Sequence, residues 1–124
     1  MRNRVLDVGQ CGPDHATITR YLTSHFDCEI AKADNLEDAR AQLNSGRFDL
    51  VLVNRKLDAD YSDGIEVVRA IKSDAATADV PVMLVTNYPE HQEAAMAAGA
   101  IHGFGKLEFE KPETRQRLAA VLDA

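Results

Sequence analysis

Five short apolar runs, each followed by a stretch with helical spacing, constrain this chain more than any other feature. The runs are "RVLDV" (4–8), "CEIAKA" (28–33), "FDLVLV" (48–53), "VPVMLV" (80–85) and "AIHGF" (100–104). They are rich in Val, Ile and Leu and bounded by turn residues, which predicts strands. Helical spacing joins Ile18, Tyr21, Leu22 and His25, then Leu36, Ala39 and Leu43 behind Asn35 as N-cap, then Ile65, Val68 and Ile71. "YPEHQEAAMAAG" sets Pro89 in a first turn and Gly99 where a helix stops, and Leu118, Val121 and Leu122 mark the last helix. Continuous rather than alternating apolar strands mean that helices cover both faces of the sheet. Repeated β-α units with right-handed crossovers specify an open, doubly wound α/β parallel sheet. In such sheets chemistry collects outside the carboxyl ends of the strands, so residues 9–13, 54–63, 86–89 and 105–107 bear inspection.

The length of 124 residues predicts a single domain over 1–124, with no output domain. The net charge of −6 argues against a nucleic-acid or anionic-membrane partner, which requires a Lys/Arg-rich surface. No apolar run is long enough to span a bilayer, and "MRNRVLDVGQ" lacks the apolar core of a secretory signal. Cys11 and Cys28 do not make a disulfide framework in a chain with this much core. The expectation is a soluble, reduced, cytoplasmic protein.

Four segments together carry a resemblance. "FDLVLVN", "DGIEVVRAIK", "VPVMLVTN" and "AAGAIHGFGK" are similar to the receiver (CheY-like) domain of bacterial response regulators, over the full length of the chain. The resemblance implies a flavodoxin-like (βα)5 sheet of order 2-1-3-4-5 and a role in two-component signalling or a phosphorelay. It also implies a site in which two acids after the first strand hold Mg²⁺ and an aspartate ending the third strand takes a phosphoryl group. A hydroxyl after the fourth strand and a lysine after the fifth then contact the phosphoryl oxygens.

Thr86 and Lys106 match the last two roles. Asn54 stands where the nucleophile is expected, and a neutral amide has no carboxylate with which to attack. The acidic pair falls within Gly9, Gln10 and Cys11, its register open by one residue, and no carboxylate stands there; Asp7 precedes the site and Asp14 follows it. The loop "KLDADYSDG" is longer than the family's usual connection, Leu107 replaces a proline and Gly103 replaces a switching aromatic. Such a pocket would give a divalent ion little Coulomb energy in return for its lost water. The expectation is a pseudo-receiver, not an enzyme, without metal or cofactor. The amide of Asn54 is expected to bond Lys106 or the loop backbone. The alternatives are an active phosphoacceptor using a displaced carboxylate, Asp58 or Asp7, and a redox sensor at Cys11, which sits just before a helix N-terminus.

Other residues read more plainly. Asp58, Asp60 and Asp63 lack the spacing of a calcium loop and predict a solvated turn. His15, His25, His91 and His102 are too scattered for a metal site, and "VGQCG" lacks the third glycine of a dinucleotide fingerprint. The resemblance implies a partner-binding face on the fourth helix, fifth strand and fifth helix. There it comprises Tyr88, Glu90, His91, Gln92 and Glu93, then His102 and Phe104, then Lys111, Arg115 and Gln116. A histidine kinase, another receiver or a different regulator is the implied partner, and a homodimer through this face is a further arrangement it allows.

Overall fold

The structure, a computed structural model, describes residues 2–122. Five parallel strands, β1 (Asn3–Val8), β2 (Cys28–Ala33), β3 (Leu50–Asn54), β4 (Val82–Val85) and β5 (Ile101–Phe104), form one sheet of order β2-β1-β3-β4-β5. The helices α1 (Gly12–His25), α2 (Leu36–Ser45), α3 (Gly64–Ser73), α4 (Pro89–Ala97) and α5 (Pro112–Leu122) cross over between them. This is the open α/β sheet that the alternating pattern specified, in the flavodoxin-like order that the resemblance implied.

Local chemistry sets the boundaries. Asn35 caps α2, its side chain accepting the Asp38 N–H at 2.9 Å. Pro89 opens α4, and Gly99 follows its end at φ 108°, a left-handed position that suits glycine. β3 begins two residues later than the apolar run because Phe48 and Asp49 have other tasks. Phe48 is buried beneath the Arg4 guanidinium, 4.4 Å from its ring centre, and Asp49 accepts the Arg4 N–H through its side chain.

The sheet separates two cores. Leu6, Val8, Val51 and Val53 pack with α2 and α3 residues such as Ala39, Val68 and Ile71. Val5, Leu50, Leu52 and Phe104 pack with Ile18 and Leu22 of α1 and Leu118 of α5. Strand alternation then puts Asp7 on the Val5 side, facing α1, with no exposed surface. A carboxylate there needs partners, because burying an unpaired charge is expensive.

Candidate functional site

The carboxyl ends of β1, β3, β4 and β5 converge on one edge of the sheet. After β1, Gly9 adopts φ 82°, which glycine permits without steric cost. Its open face is filled by Leu57, a residue of the β3–α3 loop that is only 2% exposed. A side chain at position 9 would collide with Leu57 Cδ2 and stand 3.2 Å from the Leu57 Cα. The Asp58 N–H donates to the Gly9 carbonyl at 2.9 Å, which fixes this arrangement from the backbone. The start of this loop thus sets an apolar plug over the β1 turn.

At the end of β3, the Asn54 Nδ2 donates to the Lys56 carbonyl at 2.7 Å and more weakly to the Gly9 carbonyl at 3.5 Å. Two carbonyl oxygens fix the orientation, since only the NH2 end of the amide can face them. Asn54 thus bonds the loop backbone, as expected, and not Lys106. Lys106 instead reaches Asp14 of α1 at 2.7 Å. That hydrogen bond, with a smaller contribution from the Cys11 thiol, holds the Asp14 carboxyl below its usual range. Asp14 does not simply follow the site: a helical turn brings it to the lysine, and it supplies a carboxylate that the sequence reading placed outside.

Thr86, 6% exposed, accepts the Tyr88 N–H at 3.2 Å and lies 3.4 Å from His91 Nδ1. Asn54, Thr86 and Lys106 line one cavity of about 220 Å³, together with Arg55, Lys56, Asn87 and Tyr88. A larger cavity of about 860 Å³ lies elsewhere, between α1 and α5, along Tyr21, His25 and Phe109. It borders none of the strand-end residues.

A buried polar cluster at the end of β1 joins residues that the sequence reading left apart. Asp7 Oδ2 lies 2.6 Å from His15 Nδ1, while Asp7 Oδ1 and both amide atoms of Gln10 are buried without a hydrogen-bond partner. Burial raises the Asp7 carboxyl from 3.8 to about 6; the bond and charge of His15, and the charge of Lys106, offset part of that rise. Gln10 is 1% exposed and faces inward, so it is no open ligand.

The remaining predicted residues divide. Cys11 is the half-buried N-cap of α1, and its side chain makes no capping bond. In the acidic loop Asp60 bonds Ser62 at 2.6 Å and Asp63 pairs with Lys56 at 2.6 Å, so its oxygens face different neighbours. Two residues of the anticipated partner face are not surface at all. Gln92 is 5% exposed; its amide donates to the Leu84 and Thr86 carbonyls and accepts the Gly103 N–H. It ties α4 to β4 and β5, and its partners are internal. Phe104 is wholly buried and packs against Phe109, ring centres 5.7 Å apart. Tyr88, Glu90, Glu93, His102, Lys111, Arg115 and Gln116 are exposed, and His91 is half-buried.

A family model for the response regulator receiver domain matches residues 13–123. The chain belongs to this family. The match begins at Pro13, beyond the Gly9 turn and the Gln10 and Cys11 positions. Among solved structures, this receiver is similar to chemotaxis protein CheY4 of Vibrio cholerae, with 22% identity over 98% of this chain and 100% of that one, at a TM-score of 0.77. It is similar to the signal receiver domain of a DNA-binding response regulator from Colwellia psychrerythraea 34H, with 22% identity over 98% and 99% of the two chains and a TM-score of 0.80. NtrX of Brucella abortus matches with 21% identity and a TM-score of 0.80, over 99% of this chain but 27% of that longer one. At these identities the likeness speaks for the fold. No curated protein sequence matches the chain.

The donor set does not fit the Mg²⁺ that receivers use. Position 9 has no side chain and is covered by Leu57, Gln10 is turned inward, and the Asn54 NH2 occupies the carbonyls a cation would seek. Among the described residues no helix is long and apolar enough to cross a membrane.

Proposed function

We propose that this receiver acts as a protein-interaction module of two-component signalling, independent of phosphorylation. The observation that carries the reading is Asn54, whose amide donates to the Lys56 and Gly9 carbonyls where a nucleophile would stand free. A carboxamide cannot attack a phosphoryl group, and its NH2 here does a cation's work of satisfying carbonyls. The Leu57 plug supports the same reading, because it removes the space for an acid at position 9. A partner kinase, receiver or other regulator would then recognise the surface in one fixed conformation. The displaced-carboxylate alternative draws no support from the geometry. Asp7 is sealed against α1, and Asp58 is an exposed loop residue.

The test is incubation with acetyl phosphate and Mg²⁺, followed by intact mass. Neither the natural chain nor Asn54→Asp should gain a phosphoryl group, since restoring the nucleophile leaves the metal acids missing. A stable adduct on the natural chain would end the proposal.

A further inference from the structure

The cavity beside Asn54 does not end at Tyr88. A second cavity of about 290 Å³ lies along Asp63, Arg69 and His91, and Arg55 lines both. The Tyr88 and His91 rings stack edge to face at 5.4 Å across the junction. The two make a groove along the ends of β3 and β4, between the start of α3 and α4.

Its charge opposes that of the chain. The chain carries −6, yet Arg55, Lys56, Arg69 and Lys106 line the groove against a single acid, Asp63. Lys56, Arg69 and Lys106 each hold one carboxylate, from Asp63, Glu66 and Asp14 respectively. Arg55 forms no ion pair among the described residues, although its charge acts on Asp63. Half-buried and unpaired, it is a guanidinium with its donors unspent. Among the described residues the backbone N–H groups of Lys56 and Asn87, on the cavity wall, also find no acceptor. Leu84 and Ile65 give the groove an apolar floor, and Tyr88, 54% exposed, stands at its rim. Cation donors, an apolar floor and a rim aromatic are the make-up of a protein-recognition patch.

We infer that this groove docks an acidic segment of a partner protein, one of whose carboxylates enters the cavity beside Asn54 and pairs with Arg55. The inference rests on the proposed function, since an aspartate at position 54 would repel such a group. The groove shares Tyr88 and His91 with the anticipated partner face and leaves out its buried members, Gln92 and Phe104. With an amide in place of an acid at position 54, an external carboxylate meets the one cation of the groove that, among the described residues, holds no carboxylate of its own, Arg55.

A fluorescein-labelled hexaglutamate peptide, followed by anisotropy at low salt, is the probe. It should bind saturably despite the acidic chain, and hexalysine should not bind at the groove. Arg55→Glu should weaken binding by at least about tenfold, whereas Arg20→Glu, an equal charge change on exposed α1, should leave it within about twofold. Because Arg55 is half-buried, the natural chain supplies a second measurement: the amide resonances of Lys56, Asn87 and Tyr88 should shift saturably during the titration. Equal loss in both variants, shifts confined to other surfaces, or displacement of the peptide by inorganic phosphate at matched charge would each overturn the inference. So would absence of binding, with the chain still refusing the phosphoryl group of acetyl phosphate; the proposed function would then stand without this partner.

Discussion

Replacing Asp7 with asparagine should make the protein more stable at neutral pH, although the change strips a buried residue of its charge. Asp7 has no exposed surface, and its carboxyl is raised from 3.8 to about 6. Below the unfolded value both states carry the proton, and the fold accepts a neutral acid. As pH rises towards 6, the unfolded chain ionises Asp7 in water while the folded chain must ionise it in a dry site. Its stabilising contribution is therefore full below 3.8 and lost as pH passes about 6. A shift of about two units corresponds to about 3 kcal/mol. Asparagine keeps an oxygen for His15 Nδ1 but brings an NH2 to the place where Oδ1 lacks a partner, which discounts the gain. The expected net is a stabilisation of about 1–3 kcal/mol near pH 7.5, shrinking to nothing near pH 4. Urea unfolding of both proteins across that range measures it. The difference isolates Asp7 from Asp14 and Asp63, whose lowered carboxyls act in the opposite direction in both proteins. A variant less stable than the natural chain near pH 7.5 would refute the reasoning, because the bond to His15 and the attraction of Lys106 would then outweigh the burial of charge.

Two further substitutions probe the frame of the site. Gly9→Ala should destabilise by at least about 2 kcal/mol, from the left-handed backbone and the collision with Leu57, as read by the midpoint of chemical denaturation. Gln92→Leu should cost about 1–3 kcal/mol, since the buried Gly103 N–H loses its acceptor; native-state hydrogen exchange should show that amide losing protection.

The sheet was legible because its signal is redundant. Leu50 to Val53 is apolar without interruption, and only a strand covered on both faces wants that. The Asn54, Thr86 and Lys106 positions were legible for a related reason: strand ends are fixed once the strands are. What escaped was contact between distant side chains. Nothing in the spacing says that Lys106 turns to Asp14, ninety-two residues away, or that Leu57 folds back over Gly9. Two misplacements have local reasons. Phe104 closes β5 on the half of the strand that is buried, beside Gly103, while Ile101 and His102 before it are exposed. Gln92 lies one helical turn before the buried Ala95, on the face of α4 that meets the sheet. Asp7 was anomalous from the outset, an acid within an apolar strand, and a histidine on the following helix was the natural place to seek its partner.

Leu57 has a consequence beyond the pocket. Loops at the working edge of an α/β sheet commonly belong to the least protected parts of a fold, opening and closing far below the energy of global unfolding. Here the β3–α3 loop drops a leucine into the same core as Val8, Val53 and Val67, and its next amide is bonded to the β1 turn. The start of that loop is thereby tied to the cooperative unit, and hydrogen exchange of the Asp58 amide should track that of the central strands.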